Sequence, residues 1–142
     1  MQGRTSAAME ATASDIHPIR VLLVEDEPFI SEWVAESLSD QGFAVRTVTN
    51  AADALRHLES AAVDVLFTDV NLPGDMDGTA LAQQGRHLLP RLPVIYASAR
   101  VPVLEPEARV RGGVFVRKPY EPEMVGRLIS EVMRPMPAAV PA

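Results

Sequence analysis

The 142-residue chain has no cysteine, so neither a disulfide framework nor a thiolate metal site is open to it. Lysine is almost missing too: twelve of the thirteen basic residues are arginine, and Lys118 is the single lysine. Any step that calls for a lysine ammonium therefore has one candidate. No apolar run exceeds four residues, against roughly 20 for a membrane span. Met1–Ser14 contains no apolar stretch of the kind a secretory signal needs. Positive charge is also scarce. The formal net charge is −6, which disfavours direct nucleic-acid binding, because a phosphate backbone calls for a basic face. These absences together point to a cytoplasmic protein with no membrane insertion.

The length leaves room for one domain, and a chain of this size buries roughly 70% of its unfolded surface without staples. Residues 1–18 read as a flexible N-terminal extension. Residues 135–142, Pro-Met-Pro-Ala-Ala-Val-Pro-Ala, read as a flexible tail that cannot continue a helix. The domain is expected over 19–134.

Within it, strand and helix patterns alternate. Val21-Leu22-Leu23-Val24 is a continuous apolar run, as in a strand buried on both faces. Pro28 suits the first turn of a helix carrying Ile30, Val34 and Leu38, which Gly42 ends. Ala44–Val48 alternates like an edge strand, and Asn50 is a suitable N-cap for a helix with Leu55 and Leu58. Further strands are expected within Val63–Phe67, Leu92–Ala97 and Val114–Val116. Helices are expected through Leu81 and Leu88, and from Pro122 to Val132. Between Ser98 and Phe115, Pro102, Pro106 and Gly112-Gly113 interrupt the pattern, so a fourth helix there is expected to be short or irregular. Units of this kind favour an α/β fold with a parallel sheet and helices on both faces.

In such a sheet all strands end on one edge, where open α/β sheets bind ligands. Polar groups stand at four of those ends: Glu25-Asp26-Glu27, Thr68-Asp69, Ser98 and Lys118. Each has an ordinary explanation alone. Acids before a helix cap it and favour its positive end, Asp69 precedes a turn-forming Asn-Leu-Pro-Gly, and Ser98 and Lys118 are common surface types. Their joint placement is what argues for a site. Three nearby carboxylates require a cation or raised pKa values. With oxygen donors only, a hard ion is favoured, and Mg2+ fits best because it takes few carboxylates and leaves room for a phosphate.

The stretches Val21–Pro28 (VLLVEDEP), Leu66–Pro73 (LFTDVNLP) and Phe115–Tyr120 (FVRKPY) closely resemble the receiver domains of bacterial response regulators, and the likeness covers about residues 19–134. The resemblance implies a flavodoxin-like doubly wound sheet of five strands in the order 2-1-3-4-5. It implies that Asp69 is the phosphoacceptor, loaded by a sensor histidine kinase. Asp26, Asp69 and the backbone carbonyl of Asn71 would hold Mg2+, with Glu25 acting through a water. Lys118 would pair with a carboxylate and then with a phosphate oxygen. Ser98 would bond the phosphoryl group, and Phe115 would be the aromatic whose rotamer follows. The output would be a conformational switch that controls a downstream protein or phosphotransfer partner, in a phosphorelay or as a stand-alone regulator.

Three departures from the family pattern stand out. Glu25 occupies a position where aspartate is more usual. The loop Gly74-Asp75-Met76-Asp77-Gly78 is one residue longer than common, with Asp75 and Asp77 expected to be solvated loop acids. The fourth helix is weak. Two other readings remain: a receiver fragment of a hybrid kinase, and a small Mg2+-dependent phosphatase-like hydrolase. Such hydrolases carry a second acid two residues after the nucleophile, where this chain has Asn71, which cannot serve as a general acid.

Overall fold

The apolar runs become the centre of a five-stranded sheet. The structure, a computed structural model, describes residues 17–99 and 109–134. The elements are β1 (Arg20–Val24), α1 (Pro28–Asp40), β2 (Ala44–Val48), α2 (Ala51–Ser60), β3 (Val65–Asp69), α3 (Gly78–Leu88), β4 (Val94–Ser98), β5 (Val114–Arg117) and α4 (Pro122–Met133). All strand pairs are parallel, in the order β2-β1-β3-β4-β5. The fold is the flavodoxin-like arrangement expected. The irregular helix anticipated between Ser98 and Phe115 falls mostly on residues 100–108, which lie outside the described residues, as do most of the N-terminal extension and the tail.

Alternation along the strands divides the core in two. Leu22, Val24, Leu66 and Tyr96 face α2 and α3, where they meet Ala54, Leu58 and Leu81. Val21, Leu23, Phe67, Ile95 and Val116 face α1 and α4, against Val34, Leu38, Val125 and Ile129. β3 and β4 are buried along their whole length, whereas β2, at the edge, alternates and stays largely exposed. Burial on both faces explains why the central strands read as unbroken apolar runs.

Local chemistry sets the helix ends. Pro28 and Pro122 open α1 and α4 at positions where an amide hydrogen would be idle. Asn50 accepts the Asp53 amide at 2.8 Å and caps α2. Asp77, expected to be a solvated loop acid, is exposed and also caps α3 by accepting the Ala80 amide at 2.9 Å. Gly42 follows α1 with φ +102°, a conformation that suits glycine. At the sheet edge opposite the strand C-termini, Arg20 grips Asp64 through Nε (3.0 Å), Nη2 (3.1 Å) and its backbone amide (2.7 Å). That grip ties the start of β1 to the residue preceding β3.

Candidate functional site

Because the strands are parallel, each delivers its C-terminal end to the same edge, and the ladder continues just beyond the strands. The Glu25 amide donates to Val48, the Val70 amide to Ala97 (3.0 Å) and the Lys118 amide to Ser98 (2.8 Å). These bonds fix the backbone beneath each polar side chain. Thr68, fully buried, donates its hydroxyl to the Asp69 carbonyl at 2.9 Å.

Four of the residues singled out in the sequence converge there. Lys118 Nζ donates to Asp69 Oδ2 at 3.0 Å and to Glu25 Oε1 at 3.4 Å. Glu25, Asp26 and Asp69 each offer a carboxylate oxygen, and these oxygens lie within 4.8 Å of one another. Glu25 is 3% exposed and Asp69 8%, whereas Asp26 faces solvent. None of the three acids before α1 caps it; no side-chain cap bond is made there, and Glu25 Oε2 turns back to accept the Glu27 amide at 3.0 Å.

The electrostatics follow from burial and proximity. Burial pushes the Glu25 carboxyl up, the nearby Asp69 charge adds to this, and the Glu27 amide and Lys118 only partly offset it. For Lys118, burial acts downward, but the hydrogen bond and charge of Asp69 together with Glu25 outweigh it and hold the ammonium charged. Tyr120 and Phe67 pack in a T-shaped arrangement, with centroids 5.5 Å apart. Burial, then the charges of Glu25 and Asp69, push its phenol up, so it stays neutral.

Ser98 is buried at the end of β4, joined to Lys118 through the ladder. Asn71 is exposed in the loop two residues past Asp69. Phe115, half-buried on β5, lies against Tyr96. Beside the crevice, a cavity of about 420 Å³ is lined by Ile30, Trp33, Lys118 and Tyr120, and Phe29 and Trp33 stand exposed on α1. A larger cavity of about 550 Å³ lies at the opposite edge, between Val63, Leu89 and Met133. Among the described residues, the acidic cluster lies at the crevice and not in this cavity.

Gly78 is a site residue that sequence reasoning missed. Its amide donates to the Val70 carbonyl at 2.7 Å, and a Cβ there would collide with the Asp69 carbonyl oxygen. α3 thus starts directly against the backbone of Asp69. An Asp-Gly pair at a helix start was the available signal.

The donor set suits a hard divalent cation. It consists of carboxylate oxygens, without sulfur or imidazole. Three carboxylates against one ammonium also leave a formal excess of two negative charges, which one such ion balances.

Residues 21–129 match the family model described as response regulator receiver domain. The chain is 35% identical over 120 residues to the transcriptional regulatory protein TctD of Salmonella typhimurium, covering 82% of this chain and 52% of that protein. It is 31% identical over 105 residues to the sensor histidine kinase RcsC of the same species, covering 74% of this chain and 11% of RcsC. The chain thus spans about half or less of the curated relatives named here. Among solved structures it is similar to a response regulator receiver protein from Sinorhizobium medicae (TM-score 0.77, 26% identity, 82% of this chain and 94% of that one). It is also similar to chemotaxis response regulator CheY4 of Vibrio cholerae (TM-score 0.69, 27% identity, 81% and 98%).

Proposed function

Because this chain belongs to the response regulator receiver domain family, we propose that it takes a phosphoryl group from a sensor histidine kinase onto Asp69 and relays the signal by changing conformation. The observation that carries this reading is the hydrogen bond from Lys118 to Asp69 inside a cluster of three acids.

An Asp69 carboxylate oxygen attacks phosphorus, a P–O bond forms, and the P–N bond of the donor phosphohistidine breaks with its electron pair left on the ring nitrogen. Lys118 first holds the attacking carboxylate in place, then shifts to a phosphoryl oxygen. Ser98 donates its hydroxyl to another. The chemistry is positioning and charge neutralisation, as phosphoryl transfer generally requires. Asp26, Asp69 and the Asn71 carbonyl would hold Mg2+, with Glu25 acting through a water, and the ion would supply positive charge that offsets the negative charge of the transferring group. Movement of Ser98 toward the phosphate frees space that the Phe115 ring follows, and the altered surface is read by a downstream protein or phosphotransfer partner. The same role serves a chain of the TctD kind or a receiver module within a sensor kinase.

Asn71 supports this reading over a phosphatase-like hydrolase, because it cannot protonate a leaving group two residues past the nucleophile. The two are separated by incubation with acetyl phosphate and Mg2+. A receiver is labelled stably with one phosphate per chain; fast multiple turnover of acetyl phosphate would make the protein a hydrolase and defeat the proposal.

A further inference from the structure

Tyr96 takes no part in the phosphoryl chemistry, yet it is the largest fully buried side chain among the described residues. A phenylalanine would fill nearly the same space, so the hydroxyl needs its own account. It accepts the backbone amide of Val110 at 3.0 Å. The Val110 carbonyl in turn accepts the Gly113 amide at 3.0 Å, and Arg86 donates to the Arg111 carbonyl at 2.7 Å. A Cβ on Gly113 would lie 2.8 Å from Tyr96 Cε2. The turn entering β5 is therefore seated on the Tyr96 ring and fastened to its oxygen.

The same ring meets Phe115 edge to face, with centroids 6.3 Å apart and planes at 60°. Tyr96 and Phe115 are direct partners across the β4–β5 ladder. Ser98, two residues along β4, shares the face of Tyr96, because strand side chains alternate. Phe115 thus has Tyr96 as its direct cross-strand neighbour and Ser98 as its diagonal one.

We propose that Tyr96 is a positioning residue that sets the resting place of the Phe115 ring and couples that ring's displacement to the backbone of residues 110–113. This rests on the Ser98–Phe115 switch proposed above. Tyr96 cannot retreat, being fully buried and bonded to a buried amide that would otherwise lose its partner. When Ser98 is drawn toward a phosphoryl group, the Phe115 ring shifts its edge contact with Tyr96, and because the buried Tyr96 ring has no slack to absorb that shift, it reaches Val110 through the phenol oxygen.

The test uses the whole chain with 4-fluorophenylalanine at position 115, read by fluorine NMR and by amide exchange, with and without beryllofluoride and Mg2+ as the acyl-phosphate mimic. In the parent, the fluorine resonance and the amides of 110–113 both respond to loading. In Tyr96→Phe, the Val110 amide exchanges about tenfold faster, as expected for one lost buried hydrogen bond. The resting fluorine resonance moves toward its loaded position, and the amides of 110–113 stop responding. A second variant, Phe115→Leu, is read by amide exchange alone; it keeps Val110 protected but also uncouples it from loading. If Tyr96→Phe leaves the exchange rate and the resonance unchanged, or the amides still follow loading in either variant, the inference is overturned while Asp69 loading stands. If the parent takes neither beryllofluoride nor acetyl phosphate, the phosphoacceptor reading itself falls, and the inference with it.

Discussion

Lys118 Nζ sits 3.0 Å from Asp69 Oδ2, a contact between residues 49 positions apart that joins the loop after β5 to the end of β3. The single lysine of the chain is thereby placed on the proposed acceptor. Lys118→Ala is expected to slow loading of Asp69 by acetyl phosphate about 100-fold, the usual scale for loss of one charge-stabilising donor. Lys118→Arg, with a planar and bulkier cation, should recover only part of that rate. Intact-mass time courses at fixed Mg2+ measure both; a rate in Lys118→Ala within threefold of the parent would remove Lys118 from the mechanism.

Asp26 is the exposed member of the acid cluster. Asp26→Asn should therefore leave the metal-free melting temperature within about 2 °C of the parent, as for surface substitutions generally. In the parent, Mg2+ at a hundred times its Kd should stabilise the fold by about 2.7 kcal/mol, and in Asp26→Asn most of that gain should disappear. Thermal melts over a Mg2+ titration check this; equal responses in the two proteins would exclude Asp26 as a ligand.

Gly78 lies where a side chain would strike the backbone of the acceptor. Gly78→Ala should cost about 1–3 kcal/mol, typical of overpacking, and should slow Asp69 loading by displacing its carbonyl. Denaturant unfolding and loading kinetics measured together test the link. Normal stability with normal loading would show that α3 yields without disturbing the site.

What was legible in the sequence follows from how far each signal reaches along the chain. Val21–Val24 announced a buried strand because both its faces are covered, and Pro28, Asn50 and Pro122 marked helix starts through local backbone chemistry. Glu25, Asp26, Asp69 and Lys118 could be gathered because parallel strands share one functional edge. Strand limits drifted by one or two residues: β3 runs Val65–Asp69 and β4 Val94–Ser98, since pairing with neighbours sets the ends and apolar runs do not. The parts played by Gly78, Tyr96 and Asp77 were hidden for a related reason. The first two depend on close approach between elements distant in sequence, and Asp77 resembled any other loop acid until the start of α3 was fixed.

Away from the crevice, the Arg20–Asp64 grip gives a pH signature. Burial alone would raise the Asp64 carboxyl, but the bonds from Arg20 outweigh it and hold it below its ordinary value of 3.8. A carboxyl lowered by folding contributes stability above that ordinary value and loses it as pH falls through the lowered one. Asp64→Asn should therefore melt several degrees below the parent at pH 7, with the difference shrinking below about pH 4. A difference independent of pH would assign the loss to packing and not to charge.

The most direct test of the account is where a phosphoryl group lands. Intact-mass spectrometry after treatment with acetyl phosphate and Mg2+ should show one added phosphate on the parent and none on Asp69→Asn. One phosphate on both proteins would place the acceptor elsewhere and contradict the central claim.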